Sequence, residues 1–421
     1  MEADNRANVA NLVLHLDGLL PDLEAVYKDL HAHPELSMQE VRTAGVAADR
    51  LRSAGFEVTP GIGKTGVVGV LRNGTGPTVM LRADMDALPV EESTGLPYAS
   101  RVTATDRAGE TVPVMHACGH DMHVASLIGA ATLMALTRDM WHGTLISVFQ
   151  PAEETGEGAQ AMINDGLFER FPKPDVILGQ HVMSMHAGVL ACRSGVITSA
   201  GDSFEIRMFG RGAHGSMPEA SIDPVVMAAS TVLRLQTIVS RELAAAESAV
   251  VTIGSLQAGK KENVIPDEAI LKINVRTYDE EVRRRVLAAI ERIVKAEAAA
   301  SGAPREPEIK PLDRYSAVRN DPDAAQRIMN AFALHFPGRV QETRPTSASE
   351  DFGCFGAAWH VPSVFWFVGG IDAGVYAKAK EAGRIGEIPT NHNPRFAPVI
   401  QPTLRTGVEA MVVAAQAWLS A

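Results

Sequence analysis

Residues 115–123 read MHACGHDMH, and residues 147–154 read SVFQPAEE. In the first stretch, Cys118 and His120 are separated by one residue, just ahead of an apolar helical run. In the second, an apolar strand-like run leads into adjacent Glu153 and Glu154. A thiol, imidazoles and a carboxylate pair, each at the end of a predicted element, make a metal site that carries its own general base. The reaction class they point to is metal-assisted hydrolysis.

Working outward, helical periodicity runs from Asn11 to Leu30 and is stopped by HAHPE, because Pro34 pushes the preceding residue out of the α region. A second helix is expected over 41–54, and strands over 67–71 and 78–82. Asp121 reads as the N-cap of a helix whose apolar face is Val124, Leu127, Ile128, Ala131 and Met134. The apolar runs 144–149 and 176–179 alternate with helices, as strands covered on both faces do. Three of these strands lead into polar clusters: Asp84 with Asp86, Glu153 with Glu154, and His181. In open α/β sheets, sites form beyond the carboxyl ends of strands, so the clusters are expected to converge.

The middle of the chain has another rhythm. Strands at 204–209, 249–256, 269–276 and 306–310 interleave with helices at 222–240 and 279–299, giving the βαββαβ order of the ferredoxin-like split unit. The expected fold is α/β. A central mixed sheet (1–196 and 312–421) is interrupted by an inserted ferredoxin-like domain (197–311).

At 421 residues the chain exceeds one comfortable core, and its formal charge of −11 disfavours nucleic acid and anionic membranes. Its three cysteines form no CxxC pair and fit a reducing compartment. With no basic leader and no membrane-length apolar run, a cytoplasmic protein is expected.

The plainer reading of Cys118 and His120 is a buried thiol beside a hydrogen-bonded imidazole. The metal reading is favoured by a helix N-terminus, which stabilises a thiolate. His116 and His123 are further imidazoles; His123, one turn past His120, reads as a support for a ligand. Strand alternation would send Glu153 and Glu154 opposite ways, one to metal and one to water. His181 is a candidate ligand, as is His392 in TNHNPRF. Asp84 and Asp86 share a strand face by spacing and would bind metal or orient histidines. In the inserted segment, His214 lies in GRGAHGSMP, Asn263 in KENVIP, and Arg276 at a strand end, where it is a natural carboxylate clamp. The GIGKTG run at 61–66 precedes a strand, not a helix, and reads as a turn rather than a dinucleotide site.

Taken in order, HAHPELSMQE, LRADMDALPVEE, MHACGHDMHVASLIGAA, FQPAEETGEGA, GRGAHGSMP, ENVIPDEA, SASEDF and HNPRF span nearly the whole chain. They resemble the hippurate hydrolase and auxin–amino acid hydrolase branch of the aminoacylase–carboxypeptidase G metallopeptidase family. The resemblance implies a metallopeptidase-type catalytic domain and a small lid that pairs two chains as a homodimer or higher homo-oligomer. It also implies two divalent metal ions hydrolysing N-acyl amino acids. Cys118 would bridge the metals, His120 and His181 would complete one, and Glu154 and His392 the other. Glu153 would be the general base, and His214 would polarise the scissile carbonyl, on the partner chain's site if the lid pairs. Arg276, helped by Asn263, would read the substrate carboxylate. Mixed Cys, His and Glu donors suit zinc, with manganese, cobalt or nickel as alternatives. Relatives outside this branch carry an aspartate at the Cys118 position and a histidine near Asp84. Extra residues between Tyr98 and Met115, and GRIGEIPTNHN before His392, depart from the pattern and could reshape the acyl pocket. Rival readings are a metal-retaining binding protein without turnover, a dipeptidase, and an NAD-dependent oxidoreductase resting on the glycine run alone.

Overall fold

The computed structural model describes residues 15–419, so the first turn of the helix expected from Asn11 lies outside the described residues. Two compact units are present. The first comprises Met1–Ile197, Arg319–Arg344 and Asp351–Ala421; the second comprises Thr198–Val318 and Pro345–Glu350.

The first unit runs α1 (Leu16–Ala32), α2 (Val41–Ser53), β1 (Glu57–Ile62), β2 (Gly66–Asn73), β3 (Thr78–Asp84), the short pair β4 (Thr103–Thr105) and β5 (Thr111–Pro113), α3 (His120–Leu136), β6 (Gly143–Gln150), β7 (Val176–His186) and β8 (Leu190–Cys192). Within the described residues, one mixed sheet has the order β1-β2-β6-β3-β7-β16-β8-β15 once β15 (Val340–Glu342) and β16 (Ser363–Ile371) are added later in the chain. Strands β6, β3, β7 and β16 are mutually parallel, so their carboxyl ends share one edge. Asp84 pairs with Gln150 across that edge, and Arg82 with Gly179, two residues before His181.

Helix α3 is buried nearly all round, which its apolar composition dictates: no polar stripe exists to face water. It packs against α1 and the C-terminal helix (Ile400–Leu419) in the core of this unit. Gly129 makes the approach possible, because a Cβ there would lie 2.7 Å from both Leu23 and Val408 side-chain carbons. None of the described helices is long and apolar enough to cross a membrane.

The second unit contains β9 (Ala200–Phe209), β10 (Ala213–His214), α4 (Pro224–Thr237), β11 (Ala249–Ala258), β12 (Val264–Ile265), β13 (Glu268–Thr277), α5 (Glu280–Ala300) and β14 (Glu308–Tyr315). Its sheet has the order β11-β13-β9-β14, antiparallel throughout. Alternating Leu271, Ile273 and Val275 with Ile206 and Met208 form one apolar face, which α4 and α5 cover with Met227, Leu235, Val286 and Ile290.

Three local expectations are corrected. Strand β7 continues to His186, so His181 lies within a strand rather than after one, opposite Phe367 of β16. Gly119, not Asp121, caps α3. Strand β3 ends at Asp84, so Asp86 lies beyond it and the shared strand face does not form.

Candidate metal centre

Gly119 sets the first part of the site. Its φ of +83° suits a residue without Cβ, and a Cβ there would come 2.4 Å from a Val182 methyl. The kink delivers Cys118 and His120 together against β7. Cys118 Sγ lies 3.4 Å from His181 Nε2. His181 Nδ1–H donates to the Val182 carbonyl at 2.8 Å, which turns the Nε2 lone pair toward the thiol.

Beyond β6 the chain turns through Ala152, whose φ is +48°. The strand therefore does not continue, and Glu153 and Glu154 are not sent to opposite sides. Glu153 Oε2 and Glu154 Oε1 lie 3.9 and 3.8 Å from the same His120 Nε2. Backbone amides hold this turn. Asp86 Oδ1 accepts from the Glu153 N–H and Asp86 Oδ2 from the Glu154 N–H, both at 3.1 Å. Buried Glu40 accepts the Ala152 N–H at 2.9 Å. His392, with φ +70°, is anchored by its own N–H to the Ala117 carbonyl at 2.8 Å and places Nε2 3.3 Å from Glu154 Oε2.

These separations decide between hydrogen bonding and coordination. Donors around one tetrahedral ion stand about 3.3–3.8 Å apart, given bond lengths near 2.0–2.3 Å. The ligand atoms of Cys118, His120 and Glu154 all lie within 4.8 Å of one another. His120 Nε2 and Glu154 Oε1 are buried without a hydrogen-bond partner, while His120 Nδ1 faces Asp86 Oδ1 at 3.3 Å. Buried polar atoms are normally satisfied, so this convergence fits a cation.

Electrostatics agree. Burial, then the Glu154, Glu153 and Asp84 carboxylates, hold the Cys118 thiol well above its ordinary range. A cation among these carboxylates would favour the thiolate. Burial pulls the His120 imidazole down, but Asp84, Asp86 and Glu154 outweigh it and push it up to about 10. For His116, burial prevails and lowers it to about 4.

His123 is used up by the protein. Its Nδ1–H donates to Asp84 at 2.5 Å and its Nε2 accepts the Val182 N–H at 2.8 Å, so it supports the His181 strand rather than offering a free donor. Asp84 is in turn held by Arg82 at 2.6 Å, and Arg82 also donates to Gln150 (2.8 Å) and Asp351 (3.2 Å). Burial raises the Asp84 carboxyl, but His120, Arg82 and His123 overturn that and hold it well below the usual range.

The Arg82–Asp351 network escaped the sequence reading, although Asp351 sits in SASEDF. So did a second one: His31 donates to Asp121 at 2.7 Å and to Glu92 at 3.1 Å. A buried histidine late in an amphipathic helix was the available signal. His214, Asn263 and Arg276 belong to the second unit. His214 Nδ1 contacts the Ser216 hydroxyl at 2.8 Å, and the Asn263 carbonyl accepts the Gly215 N–H at 2.8 Å, so these two share one loop pair. Arg276 donates to Asn274 at 2.9 Å and to Ser349 at 2.5 Å.

The pattern of the family described as Peptidase family M20/M25/M40 matches residues 80–411, most of the chain and all of this centre. The chain belongs to that family. Among relatives of this M20 chain, the hippurate hydrolase of Campylobacter jejuni is 40% identical over 351 residues, covering 82% of this chain and 88% of that protein. The N-acetyl-L-cysteine deacetylase of Bacillus subtilis is 35% identical over 370 residues, covering 87% and 83%. Among solved structures, a dinuclear metal-binding peptidase of the M20 family from Bacillus subtilis is 30% identical, covers 95% of this chain and 98% of its own, and superposes with a TM-score of 0.75.

Proposed function

We propose that this M20 enzyme is a dinuclear metal-dependent amidohydrolase that cleaves N-acyl amino acids to a carboxylic acid and a free amino acid. The observation that carries the reading is the convergence of Cys118, His120, His181, Glu154 and His392 at ligand separations, with Glu153 on the same side. Relatives called hippurate hydrolase and N-acetyl-L-cysteine deacetylase supply the substrate class.

Cys118, His120, His181, Glu154 and His392 would hold the ions. Bound divalent ions, zinc first by donor chemistry, would acidify the attacking water and polarise the amide carbonyl. Glu153 takes the water's proton and returns it to the leaving nitrogen. Asp86 and Glu40 hold the turn that aims Glu153. In the second unit, His214 would donate to the developing oxyanion, and Arg276 with Asn263 would bind the substrate carboxylate. We read the second unit (Thr198–Val318 and Pro345–Glu350), expected at 197–311, as a ferredoxin-like lid that pairs two chains, so that His214 serves the partner's site.

The test is amino-acid release from N-benzoyl and N-acetyl amino acids by protein reconstituted with zinc, manganese, cobalt or nickel, alongside elemental analysis. Up to two ions per chain are expected, most of them lost in Cys118→Ser. Full activity in protein stripped of metal would refute the reading.

A further inference from the structure

A cavity of about 480 Å³ opens beside Glu154 within the first unit, with apolar walls from Leu36, Ala87, Leu88, Pro89 and Ala108. One wall is local: a backbone bridge joins Leu36 to Ala87, and the Ala87 N–H donates to the Glu35 carbonyl at 2.8 Å. The other is the β4–β5 hairpin, which lies between Tyr98 and Met115. Asp106 closes its tip by accepting the Ala108 and Glu110 N–H groups, both at 2.9 Å. Arg107 then reaches Glu157 with two bonds of 2.8 and 2.6 Å, strapping the tip to the turn that follows Glu153 and Glu154.

The polar groups in the lining are already engaged. Ser37 donates its hydroxyl to Asp86 at 2.6 Å, and Gln39 its amide to the Thr105 carbonyl at 3.0 Å. Arg107 is paired with Glu157. A substrate carboxylate placed here would face Asp106 and Glu154, while the lining's one arginine is taken. An uncharged apolar group meets no such cost. The volume lies within the roughly 300–1,000 Å³ of small-molecule sites, far beyond what an acetyl methyl fills.

We infer that this cavity receives the acyl half of the substrate, and that the hairpin makes the enzyme select bulky uncharged acyl groups, aryl or alkyl, over acetyl. The inference rests on the N-acyl amino acid reading above. Each buried methylene contributes about fourfold in kcat/KM, so N-hexanoylglycine and N-benzoylglycine should exceed N-acetylglycine by roughly tenfold or more with metal-loaded enzyme.

Ala108→Trp, at the exposed tip, and Leu88→Trp should each fill the cavity and lower the hexanoyl-to-acetyl ratio by about tenfold. Arg107→Ala adds no bulk and covers the case in which neither tryptophan folds; unstrapping the tip should lower the ratio about two- to fivefold. An unchanged ratio in the folded variants, with metal content intact, overturns the inference and leaves the proposed function standing. A shift in preference among the amino acids of N-acetyl substrates, instead of among acyl groups, also overturns it by giving the cavity to the other half. Failure of the wild type to release an amino acid from any N-acyl substrate removes the proposed function, and this inference with it.

Discussion

Asp86→Asn isolates what holds the two glutamates. Asp86 Oδ1 accepts the Glu153 N–H at 3.1 Å; Oδ2 accepts the Glu154 N–H at 3.1 Å and the Ser37 hydroxyl at 2.6 Å. Burial raises this carboxyl, but His120, Ser37 and the Glu154 amide lower it below its ordinary value, so it is an anion at neutral pH. Asparagine keeps one acceptor oxygen. Whichever way its amide turns, the NH₂ faces a backbone N–H that previously had an acceptor. One charge-assisted bond is lost and a buried donor is opposed, at about 1.5–3 kcal/mol. If the turn shifts to relieve this, Glu153 moves with it, and the same energy corresponds to roughly a 10- to 150-fold loss in kcat. The assay is steady-state release of glycine from N-benzoylglycine at saturating metal, with denaturant unfolding alongside. Saturating metal matters because a weakened His120 contact could lower metal affinity alone, and excess metal would then restore the rate. Ser37→Ala is the comparison: it removes one bond and leaves both amide acceptors, so its stability cost should stay near 1 kcal/mol. Asp86→Asn that matches Ser37→Ala in rate and stability would refute the idea that Asp86 orients the pair.

Further outcomes follow from the same geometry. Glu153→Gln should lower kcat by about 10²–10⁴ with metal retained, while Glu154→Gln should lose metal; elemental analysis with kinetics separates them, and exchanged phenotypes would reverse the roles. His31 has its imidazole lowered by burial but carried up by Asp121 and Glu92 to about 10, so its stabilisation is complete below about 6.5 and fades as pH rises through about 10. Unfolding free energy should therefore fall over that alkaline window in the wild type and fall less in His31→Gln, measured by denaturant titration across it. Arg276→Ala should lower kcat/KM roughly ten- to a hundredfold and narrow the preference for a free acid over its methyl ester; unchanged discrimination would place the clamp elsewhere.

Much of the site was legible because its signals are local or follow from topology. Cys118, Gly119 and His120 are contiguous, and one glycine in the left-handed region settles how they present themselves. Parallel strands bring their carboxyl ends to one edge, so Asp84, Glu153 and His181 could be expected together before any coordinates. Misreadings came where a boundary mattered. Strand alternation carried past Gln150 would separate Glu153 from Glu154, but Ala152 turns left-handed and folds both carboxylates toward His120. The helix cap was given to Asp121, a good N-cap by type, because nothing in the local pattern reveals that His31 claims its side chain from 90 residues away.

The sequence by itself determined many of the strands and helices, through periodicity, and marked the candidate residues for the chemistry, through donor type and spacing. Tertiary structure alone decided the pairings: Arg82 with Asp351 across 269 positions, His123 spent on Asp84 and Val182, and Asp86 gripping the amides of the glutamate turn. Periodicity reports how a residue relates to its own element's axis. Whether a buried polar atom is satisfied depends on what another element presents to it, and that is settled only when the elements pack.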